Sequence, residues 1–517
     1  MPQPWDVIIV GAGIGGLSAA ARLVRAGLRV LVLEKSPHPG GTAYVYHRKG
    51  FTFPMGPLGF GTPGLIRQTL SDLGQPVEAG FQRVHYKIRA FGVQVLLSQP
   101  FPCLVKDLGS LFPADTLGTE RFFRDMDEVL AAMHAPLRGE NRPFLEKTKA
   151  TSAKQYLGSL IDDWKLCRIL GTQGTLEPYS SIPLMAAMWN LMSNEGIWYP
   201  PGGMRALCDR LARAVTGGKR RGTGLGEIRF RAPVRRIQTK NGQVSGVLLD
   251  DGTTLEAGFV ISNADFKTTF LRLMDPQVLP DRLTTAVAQA KQTGSVFQVA
   301  LGVDIEKVDL SAFSNAGRLL YRKGKGESIP VSEEVDWTGR EVSADALASQ
   351  ELELALLTRE DPELAPQGGG VIVIRTEADH GHFSGYRAPG RRRTPTYGDY
   401  KARLGRALIR EAANVIPGLE DAVLVMDTAT PLTFEDQAGR SQGAIAGWSW
   451  DYEDTSEYTP LELIQTPVHR LYMAGYQAYS ALFMGGVPTA MESGKRAADA
   501  VLNEAPPVDE VRIPGNV

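Results

Sequence analysis

The chain has 517 residues and is 43% hydrophobic, enough for two or three domains with sizeable cores and too apolar for a disordered chain. Its 56 Lys+Arg nearly cancel its 57 Asp+Glu, for a formal net charge of −1, which argues against a nucleic-acid binder with the usual basic excess. Three cysteines, Cys103, Cys167 and Cys208, none spaced C-x-x-C, rule out a disulfide framework and speak against dithiol-redox and cysteine-zinc sites.

Such cysteine usage fits a reducing, cytoplasmic compartment. The N-terminus, MPQPWD, lacks the basic n-region of a signal peptide. No uninterrupted apolar span of about 20 residues is present, so association with a membrane surface, but not a transmembrane helix, stays open. Gly (56) and Pro (33) exceed average usage of about 7% and 5%, which implies many backbone-critical turns.

In chain order, Asp6–Val10 reads as a short buried strand. Gly11-Ala12-Gly13-Ile14-Gly15-Gly16 follows at once, then a helix over Leu17–Ala26 with Gly27 as its C-cap. Leu28–Leu33 is a second strand, ending at Glu34. Residues 85–200 carry mainly helical patterns; Met185, Met188, Trp189 and Met192 share a helical face, either as core or, with Trp198, as the wall of an apolar tunnel. A Gly/Pro-rich run at 198–204 leads into a helix to about Val215. Lys219–Gly226 reads as a loop. Strand-like runs at 227–236, 243–249 and 253–261 are separated by the turn pairs Asn241-Gly242 and Asp251-Gly252. Strands are expected at 295–303 and 371–376, with an acidic surface excursion over 304–365. Leu471–Ala474 is a strand, Met484–Pro488 a tight turn and Thr489–Leu502 a helix, followed by a loose tail. No internal repeat is found.

The Gly11/Gly13/Gly16 pattern gains force from its context: it follows a strand, opens a helix, and precedes an acidic strand end. Gly11 permits the tight turn, Gly13 lets backbone approach a pyrophosphate, and Gly16 lets helix pack on strand. The helix N-terminus offers free N–H groups to the phosphate. Glu34 can accept both ribose hydroxyls, and its charge disfavours a 2′-phosphate. Gly40-Gly41, shortly after Glu34, lets backbone pass close to the cofactor.

With Pro39-Gly40-Gly41-Thr42 added, this order resembles the FAD-binding amine oxidase and phytoene desaturase superfamily. Tyr199-Pro200-Pro201-Gly202-Gly203-Met204, Val260–Asp265, Leu471–Gly475, Gly485-Gly486-Val487-Pro488 and Glu492-Ser493-Gly494 resemble its phytoene desaturase, carotenoid isomerase and retinol saturase branch. The resemblance implies an α/β fold: a discontinuous Rossmann-type FAD-binding domain with an inserted mixed α+β substrate domain. The expected division is 1–85, 196–265 and 415–505 for FAD, 86–195 and 266–414 for substrate or membrane, and 506–517 as tail. It implies that Gly11, Gly13, Gly15, Gly16, Glu34, Lys35, Gly40, Gly41, Thr42, Gly56, Val234, Asn263, Gly475, Gly486, Val487 and Pro488 contact FAD. Val234 would meet the adenine, and Gly475 with 486–488 the pyrophosphate and isoalloxazine. One departure is Pro54, where relatives often carry Asp near the flavin.

The implied activity is FAD-dependent oxidoreduction of a hydrophobic polyene or isoprenoid: desaturation, saturation or redox-neutral isomerisation. Alternatives are another lipid or amine substrate, and a non-catalytic prenyl-lipid carrier of the GDP dissociation inhibitor type. No second nucleotide fingerprint suggests an NADPH site, and no metal or nucleic-acid partner is expected. The substrate itself, the oligomeric state and the catalytic residues are not legible; Glu177, Glu435 and Asp451 are candidate carboxylates that also fit structural roles. His380-Gly381-His382 reads as a solvated turn rather than a metal pair. Arg391–Arg393 reads as an exposed loop with lipid-phosphate contact as an alternative. Trp448 and Trp450 fit either a flavin roof or a strand core.

Overall fold

The computed structural model describes residues 4–134, 141–173, 181–217, 225–323, 335–449, 463–479 and 486–504. Glu177, Trp450, Asp451, Met484, Gly485, residues 219–224 and the 506–517 tail lie outside the described residues.

Val7, Ile8 and Ile9 are fully buried in β1 (Trp5–Val10), and α1 (Ile14–Arg25) carries the chain back to the parallel strand β2 (Val30–Leu33). Parallel neighbours require such a crossover, and burial on both faces explains the unbroken apolar runs. β1 pairs on its other side with Thr254–Ser262, which in turn takes Leu471–Met473, again in parallel. β2 continues the sheet to Gly226–Arg229. The outer half of Thr254–Ser262 carries an antiparallel meander, Gln243–Leu249 and then Val234–Lys240. Asn241 (φ 53°) and Gly242 (φ 77°) close its turn in the left-handed region that the Asn-Gly pair favours. The run expected at 227–236 is two strands, Gly226–Arg229 in the parallel sheet and Val234–Lys240 in the meander, broken where Arg231 turns at φ 54°.

A second seven-stranded sheet runs in the order Val423–Ala429, Ser295–Asp304, Gly369–Ala378, Leu352–Leu356, Arg318–Arg322, Tyr86–Ala90 and Val93–Leu96. This corrects two expectations. Arg318–Arg322 and Leu352–Leu356 are buried central strands inside the stretch read as a surface excursion. The mainly helical stretch 85–200 opens with two strands of this sheet, Tyr86–Ala90 inside it and Val93–Leu96 at its edge. Acidic composition averaged over 304–365 hid two short apolar runs. Val423–Ala429, read with the FAD unit, hydrogen-bonds along Ser295–Asp304 and belongs to this second sheet.

The second sheet uses both faces, with the period of two that strands impose. Phe297, Val299, Leu301, Leu354, Ile372 and Ile374 pack against the helix Tyr397–Ala413. Ala300, Ala355, Val371 and Val373 face the other way, onto Phe51 and Phe53 of the hairpin Val45–Arg48/Phe51–Pro54. A Cβ on Gly302 would lie 2.7 Å from the Phe51 ring, so only glycine lets the hairpin sit that close. The hairpin thereby lays the following stretch, 55–58, over the second sheet.

The helices Phe101–Leu111, Thr116–His134, Trp164–Leu170 and Ile182–Met192 contribute to the largest apolar core. Met185, Trp189 and Met192 are buried there; Trp189 stands edge-on to Phe123 at 5.2 Å and donates to the Leu170 carbonyl at 2.8 Å. The stripe is core, with Met188 alone partly exposed.

Candidate functional site

Three chain segments far apart in sequence meet at the C-terminal end of β1. Gly11 turns at φ 98° and donates to the Leu33 carbonyl at 2.8 Å, and Gly13 caps α1. Gly40, at φ 90°, donates to the Ala12 carbonyl at 2.7 Å and pairs with Gly13, laying the Gly40-Gly41-Thr42 strip along the loop. A Cβ on Gly40 would run into the Cys208 sulfur.

Asn263 stands at the centre. Its N–H donates to the Val10 carbonyl at 2.8 Å. Its side chain wedges between the glycine loop and Gly475: a Cβ on Gly13 would lie 2.6 Å from Nδ2, and one on Gly15 2.7 Å from both Oδ1 and the Gly475 nitrogen. Gly475, at φ 107°, donates to Ser493 Oγ at 2.8 Å, and Ser493 donates to the Ala490 carbonyl at 2.7 Å. Gly494 packs so tightly on Gly15 that a Cβ would strike the Gly15 carbonyl. The Ser493-Gly494 pair therefore docks the helix Val487–Glu504 on α1. Gly486 (φ 93°), Val487 and Pro488 form its N-terminus, where a Cβ on Gly486 would meet nothing within 4 Å.

Glu34 is 5% exposed; its carboxylate accepts from the Ala12 N–H at 2.7 Å and the Ser36 N–H at 2.8 Å. The Ala232 N–H donates to the Glu34 carbonyl at 2.9 Å, which ties the chain just before Val234–Lys240 to the end of β2. Lys35 is exposed, with its ammonium beside Gly439. Thr42 and Gly56 touch: a Cβ on Gly56 would lie 2.7 Å from the Thr42 carbonyl oxygen.

Arg440, Tyr476 and Gln477, which sequence reading passed over, converge here with Asp265 and Trp448. Arg440 donates to Thr42 Oγ1 at 2.8 Å and lies 4.6 Å above the Tyr476 ring. Asp265 caps the turn after Asn263, accepting from the Thr268 N–H at 2.9 Å and from Ser441 Oγ. Trp448 is buried edge-on to Phe266 and donates to the Gln477 carbonyl at 2.9 Å, so it braces this corner outside any strand. Asn263 Oδ1, Tyr476 Oη and Gln477 Nε2 are buried without hydrogen-bond partners among the described residues. Burial pushes the Tyr476 phenol well above the ordinary tyrosine value.

The remaining candidates are structural. His382 is buried in an aromatic cluster with Nε2 2.7 Å from Tyr400 Oη, and His380 Nε2 lies 2.9 Å from Glu435; neither sits in a solvated turn. Glu435 also takes Arg387, while Arg393 pairs with Asp436. Among the described residues no cluster of three or more metal-ligating side chains occurs, and no helix is long and apolar enough to cross a membrane. Pro54 pairs with Val45 in the hairpin.

The cradle fits FAD on its own terms. Glycines let the loop, Asn263 and Gly475 pack backbone to backbone, two helix N-termini present their unused N–H groups, and buried polar atoms stand without partners among the described residues. Comparisons agree. The family model described as flavin containing amine oxidoreductase matches residues 14–380. The chain is 27% identical to a prolycopene isomerase of Daucus carota (98% of this chain, 82% of the relative). It is 25% identical to an inactive all-trans-retinol 13,14-reductase of Danio rerio (98% and 87%) and 24% identical to a lycopene-forming phytoene desaturase of Pseudescherichia vulneris (96% and 99%). A putrescine oxidase variant shares the fold with TM-score 0.65 at 18% identity (97% and 99% covered), and a cyclohexylamine oxidase of Brevibacterium oxydans with TM-score 0.59 at 17% identity (97% and 99%).

Proposed function

The chain belongs to the flavin-containing amine oxidoreductase family, with FAD as its cofactor, and on that footing we propose that it transfers hydride between FAD and a hydrophobic polyene or isoprenoid. The relatives that match nearly its full length, a prolycopene isomerase and a phytoene desaturase, support the polyene class. The observation that carries the reading is the Asn263-centred cradle, in which the Gly11–Gly16 loop, Gly475 and the Val487–Glu504 helix are packed backbone to backbone.

When bound, FAD supplies the hydride chemistry, while the protein supplies position, electrostatics and exclusion of water. In this reading Glu34 accepts the ribose hydroxyls with the lone pairs left by Ala12 and Ser36. The amides of Gly13–Gly16 hold the pyrophosphate. Val234 meets the adenine, and Thr42, Gly56 and the 486–488 turn border the flavin. The unpaired Asn263 Oδ1, Tyr476 Oη and Gln477 Nε2 gain partners from cofactor or its waters. The first sheet with its helices is the FAD unit and the second sheet the substrate unit. With Pro54 in the hairpin, no carboxylate is supplied at that position for proton transfer.

The test is an absorption spectrum of the purified protein, with cofactor identification after denaturation, followed by anaerobic incubation with a liposomal polyene panel. Flavin bands, released FAD and bleaching by one polyene are expected. FAD without bleaching turns the reading to saturation or isomerisation under reduced cofactor. A chain that cannot be loaded with FAD overturns it.

A further inference from the structure

Along the strand Tyr86–Ala90 of the second sheet and the chain leading into it, basic residues recur at every other position: Arg83, His85, Lys87 and Arg89. Val84, Tyr86, Ile88 and Ala90 between them are buried, so the basic residues take the other side of the chain. Arg359, at the end of the turn Leu357–Arg359, adds its charge to both His85 and Lys87. One short turn holds two of these cations. Arg359 Nη1 donates to the Phe313 carbonyl at 2.7 Å, and Lys87 Nζ donates to Asn315 Oδ1 at 3.0 Å. Both acceptors are neutral.

Lys87 is only 3% exposed, yet its ammonium ends beside Asn315, an exposed residue. Two of its three donor positions are unused, as are Nε and Nη2 of Arg359. No carboxylate among the described residues bonds to His85, Lys87, Arg89 or Arg359. Glu360, whose charge reaches His85, is already taken by the fully buried Arg318 at 2.9 Å. Glu411, on the sheet face that Arg89 shares with Tyr321, is occupied by Tyr321 Oη at 2.9 Å and Lys323 Nζ at 2.8 Å. Burial first, and then Arg89 and Arg359, hold the Lys87 ammonium below the ordinary lysine value. A buried ammonium that meets only a neutral acceptor and other cations costs stability, and an apolar residue of similar length would avoid that cost. An anion would supply the missing counter-charge.

We propose that Lys87, Arg359 and His85 form a binding site for a phosphate group. A phosphate monoester carries about −1.5 to −2 charge at pH 7 and three strong acceptor oxygens, so an ammonium, a guanidinium and an imidazole can each take one. A carboxylate brings one charge and two oxygens. Arg89, exposed along the same row, and Arg83, which donates to the Ser193 carbonyl, add to the positive field. The phosphate belongs either to a small soluble molecule or to a lipid headgroup. The site shares no residue with the Asn263-centred cradle and does not rest on the FAD reading.

The experiment titrates the purified full chain with inorganic phosphate, and with chloride at the same ionic strength, by calorimetry and by the thermal midpoint. Phosphate should bind and raise the midpoint where chloride does not. Lys87→Met should weaken phosphate at least about 10-fold, the loss expected for a hydrogen bond to a charged group. In phosphate-free buffer the same variant should raise the midpoint, because it removes the uncompensated charge. Arg359→Gln should weaken phosphate to a similar degree, whereas Lys240→Gln, at an exposed cation of the first sheet, should leave binding unchanged. A second arm sediments the protein with vesicles of phosphatidic acid or of phosphatidylcholine. Pelleting with phosphatidic acid that needs Lys87 and is displaced by free phosphate supports the site and assigns it to a headgroup. Binding of free phosphate without pelleting supports it and assigns it to a soluble phosphate. No binding in either arm overturns the proposal, as does an equal effect of chloride, which reduces it to general screening. Phosphate affinity kept in both Lys87→Met and Arg359→Gln also overturns it. So does a lowered midpoint of Lys87→Met with binding intact, which assigns Lys87 to the Asn315 contact alone.

Discussion

At the scale of single residues the cradle is set by glycines whose missing Cβ is a steric requirement. Gly15→Val would drive carbon into Asn263 Oδ1, the Gly475 nitrogen and the Ala490 carbonyl at once. We expect that variant to lose FAD loading. Gly50→Ala is the control: a Cβ there meets nothing within 4 Å and only the φ of 85° is strained. Its cost should stay near 1 kcal/mol with FAD affinity unchanged, measured by FAD titration and urea denaturation of both variants. The cysteines give a second check. Cys103 is exposed and Cys208 buried, and burial pushes the Cys208 thiol far up. A thiol reagent at pH 8 should modify Cys103 rapidly and Cys208 only after unfolding.

At the scale of elements, charged pairs lock the second sheet and its flanking helices. Arg318 bonds to the Leu58 carbonyl at 3.1 Å besides Glu360, and so ties the 55–58 stretch to its strand. Arg318→Met strands a buried Glu360 carboxylate and should cost about 3–5 kcal/mol, while replacing both partners by apolar residues should recover much of that. A double-mutant cycle in urea reads the difference. The helix Pro431–Ala438 is held by Glu435, whose carboxyl is pushed down to about 2 by the His380 hydrogen bond first, against burial, and then by Arg387. A depressed carboxylate contributes stability above its unfolded value and loses it as pH falls. Between about pH 4.5 and pH 2 this should remove about 3 kcal/mol. Glu435→Gln should lower stability at pH 7 and flatten the acid limb of the stability curve in that window.

At the scale of the whole molecule, FAD would bind where segments separated by hundreds of residues meet. A ligand that binds only the folded chain stabilises it by about 2.7 kcal/mol at 100 times its Kd. FAD should therefore raise the thermal midpoint by a few degrees and protect the Asn263–Gly475–Ser493 contacts in hydrogen exchange. No rise in the midpoint at saturating FAD would count against this assembly.

What the amino-acid order determined alone was local. The β1–α1–β2 unit was legible because strand, glycine turn and helix are consecutive, and each glycine has a nearby steric reason. The Asn241-Gly242 turn was legible for the same reason, as was the short strand Leu471–Met473. Asn263, Gly475 and Gly486 were legible only through resemblance to a known family. Their meeting depends on contacts between distant segments, which periodicity does not report. The tertiary structure alone decided that two apolar runs inside an acidic stretch are central strands, since average composition conceals five-residue segments. It alone made His382 a core residue and the Met185/Trp189/Met192 stripe a buried seam. It alone brought Arg440 and Tyr476 to the cradle, because an isolated Arg or Tyr has no sequence spacing by which to be recognised. Local geometry is encoded within a few residues; burial, charge compensation and the enclosure of a site arise only when strands from far along the chain lie side by side.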